Sequence, residues 1–414
     1  MRFLHAADIH LDSPLLGLAA RAGARADDLI GATRRALVRL VDTALAEQVG
    51  FLIIAGDLYD GDWRDFMTGL FFAEQMARLE RAGIPVILLR GNHDAESLMT
   101  RQLTLPANVQ TFTTRKAETI RLEALGVALH GRSFPTRHVT DNLVTGYPPP
   151  VAGMLNIGVL HTALDGRPGH APYAPCTLTD LTAKGYDYWA LGHVHERAVL
   201  CEDPWIIFPG NLQGRHANEA GPKGATLVHT DQGRITKVEA LVLDEVRWAR
   251  LEIAADGLDS LEALGEALLA SFARATTDAD GRGLAARLIL TGQTPLHGWL
   301  KSEPERLAAE VEVAASRAGG DIWIEKIDVR TRDPHPHGGL GGDALAELAA
   351  TIRDLRADGT ALAPLADDLA ALRHKLPPGA LAAAGWDGVD DGELLATILE
   401  DAEALLLARL SGDR

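Results

Sequence analysis

Phe51-Leu52-Ile53-Ile54-Ala55-Gly56-Asp57 sets five apolar, β-favouring residues directly against a glycine and an aspartate. A short apolar run bounded by a turn signal reads as a buried strand, so Asp57 stands where strand gives way to loop. The same construction recurs. Phe3 to Ala7 leads into Asp8-Ile9-His10, Val86 to Leu89 into Gly91-Asn92-His93-Asp94, Ile157 to Leu160 into His161, and Tyr186 to Leu191 into Gly192-His193-Val194-His195. Five strands thus end in carboxylates, imidazoles and a carboxamide along the rim where a sheet presents its loops.

Helical patterns separate the strands. Asp28 to Val49 places Leu29, Leu37, Leu40, Val41 and Leu45 at helical spacing with Gly50 closing the helix. Phe66 to Ala82 ends at Gly83, and Thr177 to Ala183 is a short helix with Thr177 and Asp180 in a capping-box relation. Beyond Gly192 the strand candidates 198–200, 205–208, 225–229 and 235–243 follow. This order predicts a layered α/β sandwich over residues 1–245, its second sheet largely antiparallel. A β-α-β-α-β unit over 246–330 reads as a small accessory α/β domain, and Thr331 to Gly342 reads as a Gly/Pro linker. Acidic amphipathic helices are expected over 343–356, 362–373 and 392–410, within a helical C-terminal region, 343–414.

Bulk properties narrow the function. A chain of 414 residues predicts two or three domains. No apolar stretch approaches the ~20 residues needed to cross a bilayer, and the start, Met1 to Asp8, lacks a signal-peptide shape. The 2 cysteines, Cys176 and Cys201, make no CxxC pair, which fits a reducing cytoplasm. Of the net charge of −17, residues 1–250 carry −3 and residues 251–414 the other −14. No basic stripe advertises nucleic acid; charge alone suits a small anionic substrate. Bound cations would reverse the field of a carboxylate-rich site, which keeps a phosphate backbone open as substrate.

Taken singly, each island also suits a structural role. Asp8 could cap a helix, Gly56-Asp57 could start a turn, and His161 could be a buried, satisfied histidine. Asn92 offers a neutral oxygen, His93 has Asp94 beside it as a candidate orienting carboxylate, and the two imidazoles of Gly-His-x-His suit an ion. It is the joint order, each island at a strand end, that points to a pair of divalent ions and to cleavage of phosphate esters.

The five islands resemble the signature D-x-H, G-D, G-N-H-[DE], H, G-H-x-H of the calcineurin-like metallophosphoesterase superfamily. Within it the chain is similar to SbcD-type DNA repair exonucleases of the bacterial YhaO branch. The stretches that carry this are AGDLYDGDWRDFMTGLFF (55–72), LHTALDG (160–166), GHAPYAPCTLTDL (169–181), GYDYWALGHVHER (185–197) and PWIIFPGNLQGRH (204–216). They cover most of residues 1–250; residues 251–414 match in layout only.

The resemblance implies a four-layer α/β/β/α sandwich with a capping domain. One ion would be held by Asp8, His10, Asp57 and His195, the other by Asp57, Asn92, His161 and His193, with manganese the family's usual metal. His93, oriented by Asp94, would act on the phosphate and leaving group. Asp60 stands where eukaryotic and archaeal relatives carry a histidine, so no second catalytic histidine is carried over. Trp63, Arg64, His170, Arg215 and His216 are candidate substrate contacts. DNA, an SMC-like ATPase bound through the C-terminal helices, and a homodimer are the implied partners, although those helices suit packing on the accessory domain equally well. The readings to separate are a metal-dependent nuclease, a phosphodiesterase or phosphatase for a small substrate, and an architectural DNA-end tether.

Overall fold

The computed structural model describes residues 1–13, 15, 18, 31–60, 66–95, 104–164, 173–334, 347, 350–352, 354–355, 359–376 and 389–411. The chain forms two compact units, Met1–Ala249 and Arg250–Arg414. Among the described residues no helix is long and apolar enough to cross a membrane.

The first unit begins with β1 (Arg2–Ala6), α1 (Ala32–Ala46), β2 (Phe51–Ala55), α2 (Phe66–Arg81), β3 (Val86–Leu89) and β4 (Val109–Thr111). It continues with β5 (Glu118–Leu122), β6 (Val127–Gly131), β7 (Leu155–His161), α3 (Leu178–Thr182), β8 (Tyr188–Gly192), β9 (Ala198–Glu202), β10 (Trp205–Phe208), β11 (Gly224–Asp231) and β12 (Arg234–Val242). These strands make two six-stranded sheets, β12-β11-β1-β2-β3-β4 and β5-β6-β7-β8-β10-β9. Both are mixed. The second is parallel through β6, β7, β8 and β10, with antiparallel edges, which corrects the expectation of a largely antiparallel sheet. The run of strands read after Gly192 is real but divided. β9 and β10 extend the second sheet, while β11 and β12 close the edge of the first.

Alternation sorts the side chains into layers. On β1 and β2, Phe3, Phe51 and Ile53 meet Val127, Leu129, Ile157 and Tyr188 of the other sheet. Phe3 stacks on Phe51 at 4.8 Å and meets Tyr188 edge-on at 5.4 Å. Leu4, Leu52, Ile54 and Leu88 point the other way, onto Leu37, Leu40 and Val41 of α1 and Phe72, Met76 and Leu79 of α2. With both faces covered, β2 is buried at every position, which is why its sequence is an unbroken apolar run rather than an alternation. Over the second sheet, Leu160, Trp189, Leu191 and Ile206 pack under α3 and the segment around Phe134 and Tyr147. This is the four-layer α/β/β/α sandwich.

The helix ends show what the chain signals and what it hides. After α2, Gly83 adopts φ 71°, with Gly83 N–H on Glu80 O at 2.9 Å and Ile84 N–H on Leu79 O at 3.0 Å, a Schellman motif at the expected glycine. α1 ends by the same motif two residues before Gly50. Gln48 takes φ 48°, and Gln48 and Val49 donate to Leu45 and Ala44. Gly50 is therefore not the closing residue; burial of Val49 fixes the turn earlier. The Thr177–Asp180 capping box of α3 forms as read.

The second unit contains a sheet β13-β14-β15, formed by β13 (Val246–Ala254), β14 (Gly283–Gln293) and β15 (Ile322–Arg332), with β14 and β15 parallel. The helices α4 (Leu261–Ala279) and α6 (Pro304–Ala318) cover it through Leu264, Leu268, Phe272, Leu307 and Val311. A short α5 (His297–Ser302), not anticipated from sequence, precedes α6. β15 takes in Thr331 and Arg332, where the linker was expected to start; residues 335–342 of that linker lie outside the described residues. α7 (Gly359–Lys375) and α8 (Asp391–Ser411) are joined by an Arg373–Asp391 ion pair, and α8 packs on α5. Most of the helix expected over 343–356 also lies outside the described residues.

Candidate metal centre

The polar islands converge because loops after neighbouring strands are laced together. Asp8 N–H donates to Gly56 O (3.0 Å) and His10 N–H to Asp57 O (3.1 Å), so the first loop runs alongside the second. His93 N–H donates to Asp57 Oδ1 (2.9 Å), and His193 N–H lies 2.9 Å from Asp8 Oδ2. Four of these residues hold left-handed backbone angles: Asp8 (φ 50°), His10 (44°), Asp57 (51°) and His193 (101°). Such angles are uncommon outside glycine and gather at functional sites. Two motif glycines are required by crowding. A Cβ on Gly56 (φ 98°) would stand 2.3 Å from His161 Nδ1, and one on Gly91 would stand 2.3 Å from Asp57 Oδ1.

Two ligand triads lie on the strand-end islands, Asp8, His10 and His195 in one and Asp57, His161 and His193 in the other. A third group, His10, Asp60 and His93, shares His10 with the first, and each group has its candidate atoms within 4.8 Å of one another. In the first, His10 Nε2 lies 3.2 Å from His195 Nε2, and His195 Nε2 lies 3.7 Å from Asp8 Oδ1. In the second, His161 Nε2 lies 2.9 Å from Asn92 Oδ1 and 3.3 Å from Asp57 Oδ2.

The donor set suits a cation. His161 gives its Nδ1–H to Ala55 O at 3.0 Å, which leaves the Nε2 lone pair facing two oxygens, Asn92 Oδ1 and Asp57 Oδ2. Three acceptors pointed at one another need positive charge between them. Burial by itself would lower the His161 pKa, yet Asp57 and Asp8 lift it to about 9. Burial pushes the Asp8 carboxyl up. For Asp57 burial acts the same way but is outweighed by His161, which holds the carboxyl below the usual range. A proton can serve this cluster; a divalent ion on mixed nitrogen and oxygen ligands serves it better.

His93 sits beside the triads, its side chain 27% exposed, with Nδ1 3.2 Å from Asp60 Oδ1. Asp60 also accepts from Ser13 Oγ at 2.7 Å and lies 3.6 Å from His10 Nδ1. Burial would lower the His93 pKa, and Asp60 and Asp57 outweigh it to give a net rise. Asp94, expected to orient His93, instead accepts the backbone N–H groups of Tyr59 (3.0 Å), Gly91 (3.0 Å) and Leu58 (3.2 Å). Its carboxylate ties two loops together, so the orienting carboxylate is corrected to Asp60.

Arg215 and His216 lie behind the first triad. Arg215 Nη2 is 3.0 Å from Glu219 Oε1 and Nη1 is 3.8 Å from Asp60 Oδ2, so its charge is engaged within the protein. His216 Nε2 is 3.4 Å from Glu219 Oε1. Glu219, which sequence reading passed over, is held below the usual carboxylate range; burial opposes this, and the His195 hydrogen bond and the Arg215 charge prevail. Trp63, Arg64 and His170 lie outside the described residues.

Comparison with known proteins agrees with this geometry. The family model for calcineurin-like phosphoesterases matches residues 1–197, and that for the middle domain of metallophosphoesterase YhaO matches residues 248–332. The chain is 32% identical over 341 residues to the uncharacterized metallophosphoesterase YhaO of Bacillus subtilis, covering 80% of this chain and 82% of that protein. It is 24% identical over 367 residues to the DNA double-strand break repair protein Mre11 of Methanopyrus kandleri, covering 80% and 72%. It is also 25% identical over 223 residues to the Mre11 protein of Sulfurisphaera tokodaii, covering 50% and 55%. With both triads in place and a YhaO relative aligned over most of its length, the chain belongs to the calcineurin-like metallophosphoesterases, in the group that carries the YhaO middle domain.

Proposed function

We propose that this protein is a two-metal phosphodiesterase that cleaves DNA. The observation that supports the reading is the pair of ligand triads, Asp8, His10 and His195 in one and Asp57, His161 and His193 in the other, with the partly exposed His93 ring 5.0 Å from that of His10. Asp8, His10 and His195 would hold one ion and Asn92, His161 and His193 the other, with Asp57 shared between them. Two divalent ions bound there, manganese in this reading, would acidify a water and draw charge from the phosphate oxygens.

The protein's own groups do the rest. Asp60 accepts the Nδ1 proton of His93, which turns Nε2 outward and favours the protonated ring. His93 then gives its Nε2 proton to the departing oxygen. The left-handed turns at Asp8, His10, Asp57 and His193 hold the ligands before substrate arrives.

DNA as the substrate is supported by the similarity to proteins named for double-strand break repair. An SMC-like ATPase partner and a homodimer belong to the same reading, with α7 and α8 the docking elements. A small phosphodiester is the second reading, favoured by the net charge of −17. A release assay with manganese, comparing linear duplex DNA, cyclic nucleotides and p-nitrophenyl esters, separates them. Cleavage of DNA supports the proposal, and turnover of the small esters without it supports the alternative.

A further inference from the structure

Behind the first triad, His195 is fixed from three directions. Its backbone carbonyl accepts from Lys223 Nζ at 2.8 Å and from Asn211 N–H at 3.3 Å. Its ring Nδ1 lies 2.7 Å from Glu219 Oε1, while its Nε2 faces His10 and Asp8. Glu219 is only 6% exposed and comes from the short turn Ala217–Glu219 between β10 and β11. Its other oxygen accepts from Arg215 N–H at 2.7 Å and Asn211 Nδ2 at 2.9 Å.

An imidazole that gives one lone pair to a cation must carry its proton on the other nitrogen, and whatever accepts that proton selects the tautomer. Arg215 Nη2 also lies 3.3 Å from His195 Nδ1, but Glu219 Oε1 is nearer to both, at 2.7 and 3.0 Å, and separates the two donors. A carboxylate with this many donors is held rigid, so the ring it receives is held rigid too.

We propose that Glu219 is the positioning residue of His195: it accepts the Nδ1 proton, so that Nε2 presents its lone pair toward the ion served by Asp8 and His10. Arg215 braces Glu219 and reaches toward Asp60, which links the carboxylate behind His195 to the one behind His93. The inference rests on the two-metal reading above. The plainer role for Glu219 is as an anchor of the segment 211–219, through Asn211 and Arg215.

The test titrates the full chain with manganese(II) by calorimetry, with electron paramagnetic resonance reporting spin-coupled ion pairs. Glu219→Gln keeps the shape and still accepts from Asn211 and Arg215, but offers His195 no charge. One of the two manganese sites should weaken about 10–100-fold, the size expected for loss of such a partner, and the coupled-pair signal should give way to that of single ions. Gln213→Ala removes the side-chain bonds that anchor the same segment to the backbone of Val246 and touches neither Glu219 nor His195; it should lower the melting temperature and leave manganese affinity unchanged. Two sites of wild-type affinity in Glu219→Gln would overturn the positioning role and leave the two-metal reading standing. Wild-type protein that binds no ion pair would overturn both. If Glu219→Gln does not fold, the nitrogen-15 spectrum of the metal-free wild type decides, with His195 assigned through His195→Asn: a proton on Nδ1 supports the role, and one on Nε2 overturns it.

Discussion

Asp60 Oδ1 lies 3.2 Å from His93 Nδ1, while Asp94, the immediate sequence neighbour of His93, has its carboxylate turned onto the amides of Leu58, Tyr59 and Gly91. The two acids therefore have separable contacts, one with the His93 ring and one with the backbone of the loops.

For the first, His93→Ala should lower turnover of a DNA substrate by about 10²–10⁴-fold, the usual contribution of a general acid, with both manganese sites still filled. Asp60→Asn should cost less, on the order of tenfold, because the imidazole stays in place but loses the charge that orients it and favours its protonated form. Steady-state rates together with metal stoichiometry check both.

For the second, Asp94→Ala strips an acceptor from three buried amides. Each abandoned donor costs roughly 1–3 kcal/mol, so a fall of at least about 3 kcal/mol in unfolding free energy is expected by denaturant titration. Wild-type stability in this variant would show that the carboxylate is not a framework element.

These roles could not be assigned from sequence, because adjacency along the chain is not adjacency in space. The strand-end islands were legible: β2 and β3 are covered on both faces, and their apolar runs stop abruptly at glycine and at polar residues. β5, with the sequence ETIRL and mostly half-buried, carries too little apolar signal to be picked out, and its partner β6 went unread with it. Gly83 announced the end of α2, whereas the left-handed turn at Gln48 is imposed by packing of Val49 and leaves no mark in residue type. Glu219 is the same kind of omission, since nothing in RHANEAGPKG (215–224) says that its one acid is buried against His195.

Crowding makes a sharper prediction at Gly91. A methyl group there would press on the carboxylate of Asp57. Gly91→Ala should therefore abolish binding of the manganese pair while the far-ultraviolet circular dichroism stays that of the wild type. Retained binding of both ions would mean that Asp57 can move aside without loss of the site.

Acid sensitivity should come in part from His5, deep between the sheets. Its Nε2–H donates to Leu191 O (3.1 Å) and its Nδ1 accepts from Tyr188 Oη (3.0 Å), so the neutral ring is already satisfied. Burial, aided by Arg197 and opposed by the Leu191 bond, lowers its pKa from 6.5 to about 3. Between those values the unfolded chain binds a proton that the folded chain does not. Stability contributed by His5 is thus intact above pH 6.5 and drains away as pH falls toward 3, by about 1.4 kcal/mol per pH unit. His5→Gln should flatten the pH dependence of unfolding free energy by one proton in that window.

The most direct measurement is anomalous diffraction at the manganese edge from crystals grown with the metal. Two peaks are expected, one bonded to Asp8, His10 and His195 and one to Asn92, His161 and His193, with a carboxylate oxygen of Asp57 on each. A single peak, or two peaks that do not share Asp57, would contradict the account.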